Sequence, residues 1–149
     1  MNPFADKIIV VPWDFSAQSR EALEAALAIA EAPAKVRVVH VTPYPDAMEP
    51  SIVWGTFSEQ EIRERLRESF GKEINLDDYP GMEFVGLFGN PAHEISRYAD
   101  ENNAGLIVIS SHGRTGLARM LLGSVAEQVV RLAHCPVLVL RDGKPKTQD

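Results

Sequence analysis

The chain has 149 residues, 45% hydrophobic and 24% charged, with a formal net charge of −6. This length and balance fit one domain that buries its own core, and the acidic charge argues against a general binder of nucleic acid or anionic membrane. A single cysteine excludes an internal disulfide, and no apolar stretch approaches the ~20 residues of a membrane span.

The opening Met-Asn-Pro-Phe-Ala-Asp has neither the basic head nor the apolar stretch of a secretory signal, so the expected location is the cytoplasm. Strand-like and helix-like segments then alternate. Lys7-Ile8-Ile9-Val10-Val11-Pro12 is a β-branched run whose continuous apolar character suits a strand covered on both faces. Ser16 can cap a helix to about Glu31, with Leu23, Leu27 and Ala30 on one face, Ala22 and Ala26 beside them, and Pro33 as its stop. Val36 to Val41 is a second strand. Residues 43–57 carry Pro43, Pro45 and Pro50 but also Ile52, Val53, Trp54 and Phe57. This stretch reads either as a flap or contact surface, or as a loop tucking its own side chains onto the fold.

Ser58-Glu59-Gln60-Glu61 is a capping-box pattern opening a helix with Ile62, Leu66 and Phe70 at i, i+4 and i+8. Residues 81–87 form a third, partly alternating strand at or near an edge. Asn90-Pro91 opens a third helix, asparagine as N-cap and proline at the first helical position, with Ile95, Tyr98 and Ala99 as its apolar stripe. Leu106 to Ile109 is the fourth strand. Ser124-Val125-Ala126-Glu127 has the form of a second capping box, opening a helix to about Ala133, and Pro136 to Leu140 is the fifth strand. Five strands joined by helices imply an α/β fold over residues 1–149, with an ordered core from about 6 to 141. The expected architecture is an open parallel sheet with helices on both faces.

Ligands of such sheets bind beyond the carboxyl ends of the strands, where strand order reverses. The fourth strand runs into Ser110-Ser111-His112-Gly113, and the loop after it reaches a helix start at Gly123-Ser124. Small residues and free backbone N–H groups at a helix N-terminus suit a phosphate; the same glycines also serve plain turn chemistry. The Ser124 side chain can cap the helix while its N–H faces a phosphate. The first strand ends in Pro12-Trp13-Asp14-Phe15-Ser16. Asp14 is either an acceptor for an adenine amino group or ribose hydroxyl, or a residue of an Asx turn.

No P-loop, no GxGxxG after the first strand and no GxSxG elbow is present. His40, His93, His112 and His134 lack metal-ligand spacing. His40 reads as structural, and His112 as polar lining or an acid–base group. Cys135 reads as a small core residue or a reactive thiol.

Val10-Val11-Pro12-Trp13-Asp14-Phe15-Ser16, His40-Val41, Ser-His-Gly-Arg-Thr-Gly (111–116), Leu-Leu-Gly-Ser-Val-Ala-Glu (121–127) and Cys-Pro-Val-Leu-Val (135–139) together resemble the universal stress protein family from Ile8 to Leu140. The resemblance implies a Rossmann-like sheet of order 3-2-1-4-5 and a homodimer formed through the last strand. It also implies an ATP or related adenine-nucleotide site, with or without Mg²⁺. The implied binding residues are Pro12, Asp14 and Val41 near the adenine, Ile109 and Ser110 along base and ribose, and Gly113, Gly123, Ser124 and Val125 at the phosphates. The ATP-binding branch carries G-x2-G-x9-G-[ST]; Gly113, Gly123 and Ser124 match it, but Ser110 stands at its first glycine. A left-handed backbone there would cost serine roughly 1–2 kcal/mol; a negative φ would cost it little. The expected role is a nucleotide-dependent stress-response regulator with slow or absent ATP hydrolysis, its protein partner unspecified. The alternative is a dimeric interaction protein of the same fold that binds no nucleotide.

Overall fold

The computed structural model describes residues 1–44, 58–112 and 122–141. Gly113, and the proline-rich stretch from residue 45 to 57, lie outside them. In chain order the elements are β1 (Ile8–Pro12), α1 (Ala17–Ile29), β2 (Val36–Thr42), α2 (Glu59–Glu73), β3 (Glu83–Phe88), α3 (Pro91–Glu101), β4 (Ala104–Ser110), α4 (Ser124–Leu132) and β5 (Val137–Leu140). Every strand pairing is parallel, and the order is β3-β2-β1-β4-β5, as the family resemblance implies.

Strand alternation splits the core in two. Ile9, Val11, Val36, Val38, Leu106 and Val108 point to one face, where Leu23 and Ala26 of α1 and Phe70 of α2 cover them. Val10, Val39, Val41, Ile107 and Ile109 point to the other, against Ala92, Ile95 and Ala99 of α3 and Ala126 and Val129 of α4. Helices thus lie on both faces. This is why β1 is apolar throughout: Ile9, Val10 and Val11 are all fully buried. Trp13 and Phe84 pack on Phe70 at ring distances of 4.9 and 4.6 Å, which docks α2 onto the sheet.

Local signals set most element starts. Ser16 caps α1 by accepting from the Ser19 N–H, Asn90 caps α3 by accepting from the His93 N–H, and the Ser58/Glu61 capping box closes in both directions. Three of the boundaries that differ from the sequence reading have a clear physical cause. Helix α1 ends at Ile29 rather than near Glu31. Ala30 turns extended, the Glu31 N–H is taken by the Ala5 carbonyl at 2.8 Å, and Pro33 opens a 3-10 turn instead of stopping the helix. Strand β3 begins at Glu83 because Gly81 turns left-handed, φ 86°, and an added Cβ there would sit 2.6 Å from Ala34 Cβ.

The third difference is at α4. Gly123 is its N-cap, Ser124 is already helical, and no side chain caps the end. The capping box expected at Ser124–Glu127 does not form. A long-range bond accounts for the shift: the Gly123 N–H donates to the Ser111 carbonyl at 2.6 Å, fixing Gly123 as the turn into the helix. Cys135 is half-buried against the second core, and burial raises its thiol pKa, which keeps it protonated and favours the packing reading. Among the described residues no helix is long and apolar enough to cross a membrane.

Candidate functional site

At the carboxyl ends of β1 and β4 the structure opens a crevice of about 330 Å³. These strands are neighbours, so this is the point where strand order reverses. Pro12, Trp13 and Asp14 enter from the end of β1, and Val39, His40 and Val41 from β2. Ile109, Ser110, Ser111 and His112 come from β4 and the residues after it. Gly123, Ser124, Val125 and Ala126 bring in the first turn of α4. Every sequence-predicted site residue that the structure describes lines this one crevice.

Its first wall is a hydrogen-bonded turn. Asp14 Oδ1 accepts from the Ser16 N–H at 3.1 Å and from the Ser16 hydroxyl, so Asp14 is an Asx-turn residue as well as a lining one. Ser19 Oγ donates to the Ser16 carbonyl at 2.9 Å and accepts from the Asp14 N–H at 3.4 Å. Phe15, between them, is left-handed with φ 64°, and its ring lies 5.9 Å from Trp13 and 5.4 Å from His40. The aromatic packing holds in place a conformation that a bulky residue rarely adopts. His40 Nδ1 lies 2.8 Å from the Trp13 carbonyl oxygen, bearing out its structural reading.

The opposite wall is built from backbone. Ser110 ends β4, in register with Leu140 of β5. Phe15 and Asn103 are the left-handed non-glycine residues among those described, so Ser110 pays no such penalty. Gly123 has a reason to be glycine that involves no ligand: an added Cβ would lie 2.8 Å from the Ser111 carbonyl oxygen. The N–H groups of Ser124, Val125 and Ala126 stand in the first turn of α4, where geometry provides no intrahelical acceptor and no side chain caps them. They carry the positive end of the helix dipole.

Sequence reasoning missed several lining residues. Pro91 and Ile95 of α3 and the buried Ser19 also line the crevice. The Asn90-Pro91 cap placed the start of α3 after β3, hence at the carboxyl end of the sheet, but only the packing shows that it reaches this corner. Ser111, 3% exposed, is a further addition, as are Trp13, Val39, His40 and Ala126; His112, also 3% exposed, takes the polar-lining position read for it in the sequence.

Fold and crevice together define a doubly wound α/β protein with an open crevice at the switch point of its sheet. The chain belongs to the universal stress protein family, whose model matches residues 7–141. It is similar to the universal stress protein MJ0531 of Methanocaldococcus jannaschii, 40% identical over 148 residues that cover 95% of this chain and 85% of that protein. Among solved structures, MJ0577 of the same organism superposes with a TM-score of 0.69 at 30% identity, covering 93% of this chain and 98% of that one. A universal stress protein in complex with cAMP superposes at 0.59 with 27% identity, covering 93% and 99%.

Proposed function

We propose that this chain binds an adenine nucleotide, ATP or a close relative, in the crevice between β1 and α4, and acts as a cytoplasmic, nucleotide-dependent regulator of the stress response. The observation that carries the reading is the first turn of α4, which enters the crevice without a side-chain cap. Three N–H groups and a helix dipole at the end of a partly apolar cleft suit a phosphate whose base lies against Val41 and Ile109. Pro12 and Asp14 border the base, Ser110 the ribose, and Gly123, Ser124 and Val125 the phosphates; the family resemblance adds Gly113, which lies outside the described residues. The relative in complex with cAMP supports a nucleotide as the ligand class.

Mg²⁺ would come with the phosphates. Among the described residues no group of three His, Cys, Asp or Glu side chains could hold a metal ion, and Mg²⁺ commonly rests on phosphate oxygens and water. The reading of a partner-binding protein without nucleotide rested on Ser110, and the backbone of β4 removes the steric reason for it. We further propose a homodimer through β5.

Calorimetric titration with ATP, paired with thermal unfolding, tests the site. At a hundredfold excess over the dissociation constant, binding stabilises by about 2.7 kcal/mol, which raises Tm by roughly 5–10 °C at this chain length. No heat and no shift at millimolar ATP would sink the proposal.

A further inference from the structure

His112 is a group in the crevice that the nucleotide reading does not use. His112 is 3% exposed, and its Nε2 is closed off from solvent with no hydrogen-bond partner among the described residues. Its Nδ1 lies 3.5 Å from Ser111 Oγ, at the outer limit of a hydrogen bond. If the Ser111 hydroxyl donates to Nδ1, the ring proton sits on Nε2 and that nitrogen is a donor without an acceptor. The edge carrying it faces α4: an added Cβ on Gly123 would lie 3.8 Å from His112 Cδ2, the carbon bonded to Nε2.

The electrostatics of the crevice sharpen what this donor is for. The described residues lining it include one carboxylate, Asp14, and no lysine or arginine. An anion there meets no fixed cation from these residues. It is held by the neutral amides at the start of α4 and by any side-chain N–H in the same corner.

We propose that His112 Nε2–H donates to a phosphoryl oxyanion held at the N-terminus of α4, and so sets a preference for phosphorylated ligands over the bare nucleoside. The inference rests on the nucleotide reading for the identity of the ligand. A phosphoryl oxygen supplies the acceptor that the buried nitrogen lacks, and an N–H bonded to an anionic oxygen is about twice as strong as a neutral pair. Adenosine carries no such oxygen and gains nothing from the imidazole.

The test is calorimetry on the full chain with three probes, adenosine, ATP and inorganic pyrophosphate, for the wild type, His112→Ala and His112→Gln. The alanine variant should weaken ATP and pyrophosphate by roughly 10- to 100-fold and leave adenosine within about twofold. Glutamine, which can bring an N–H near the Nε2 position, should restore part of the loss. A readout independent of mutant folding is the His112 ring ¹⁵N signal of the wild type, which should shift and show a protected Nε2–H on adding pyrophosphate. Unchanged ATP and pyrophosphate binding in His112→Ala overturns the inference and leaves the nucleotide reading standing. An equal loss for all three probes also overturns it, because that marks a merely structural ring. A His112-dependent pyrophosphate affinity, with ATP no tighter than pyrophosphate and no adenosine binding, upholds the inference and overturns the nucleotide reading. No binding of any probe by the wild type overturns both.

Discussion

At Ser110 the deciding quantity is a backbone angle. The family's ATP-binding pattern has glycine at this position, and a left-handed serine would be strained there. The residue instead ends β4 in register with Leu140, outside the left-handed region. Glycine would then relieve nothing and would loosen the end of a strand. Ser110→Gly should leave ATP affinity within about threefold and lower stability by roughly 0.5–1 kcal/mol, read by calorimetry and urea unfolding. A large gain in ATP affinity would show that serine impairs the site after all. Asp14 shows the limit of reading one residue from its type: the turn and lining roles looked like alternatives in sequence, and the structure has the side chain in the turn at the edge of the crevice.

The two capping-box patterns part ways at the scale of the element. At Ser58 both halves of the box form, with the Glu61 N–H 3.1 Å from Ser58 Oγ and the Ser58 N–H 3.3 Å from Glu61 Oε1. At Ser124 the same spacing gives no box, because the helix begins one residue earlier at Gly123. Ser58→Ala should therefore cost about 1 kcal/mol, whereas Ser124→Ala should cost less than about 0.5 kcal/mol. Urea midpoints decide the matter, and equal losses would mean that Ser124 caps α4. The displaced register leaves the first-turn amides of α4 open to the crevice. The edges of the sheet differ in a related way. Arg63 Nε and Arg67 of α2 donate to the Gly86 and Phe84 carbonyls at 3.0 and 3.4 Å. The Gly89 N–H bonds across to Thr42 on β2, so strand alternation turns residues 84 and 86 to the outer edge. Arginine side chains thus blunt β3 against strand addition.

For the whole molecule, that leaves β5 as the open edge among the described residues. It is a four-residue apolar strand with no fully buried member, and Leu138 is 38% exposed. Sedimentation should find the wild type dimeric at micromolar concentration and Leu138→Asp monomeric with an unchanged circular dichroism spectrum. A monomeric wild type, or a variant that stays dimeric, would remove β5 as the interface.

Alternation of apolar runs with helical periodicity was enough to read five strands and their helices, because each pattern is local and repeats along the chain. The strand order and most of the site came with the family resemblance. Asp14 and Ser124 lie far apart in sequence, and no local periodicity joins them. What the sequence by itself determined was therefore the kind and succession of elements, their buried faces, and caps such as Ser16, Ser58 and Asn90 that depend only on neighbours three residues away. The tertiary structure alone decided the N-cap of α4, the backbone state of Ser110, and the placing of Pro91, Ile95 and Ser19 around one crevice. Each of these depends on a contact between distant segments, as when the Ser111 carbonyl takes the Gly123 N–H, and such a bond leaves no mark in the pattern of either segment.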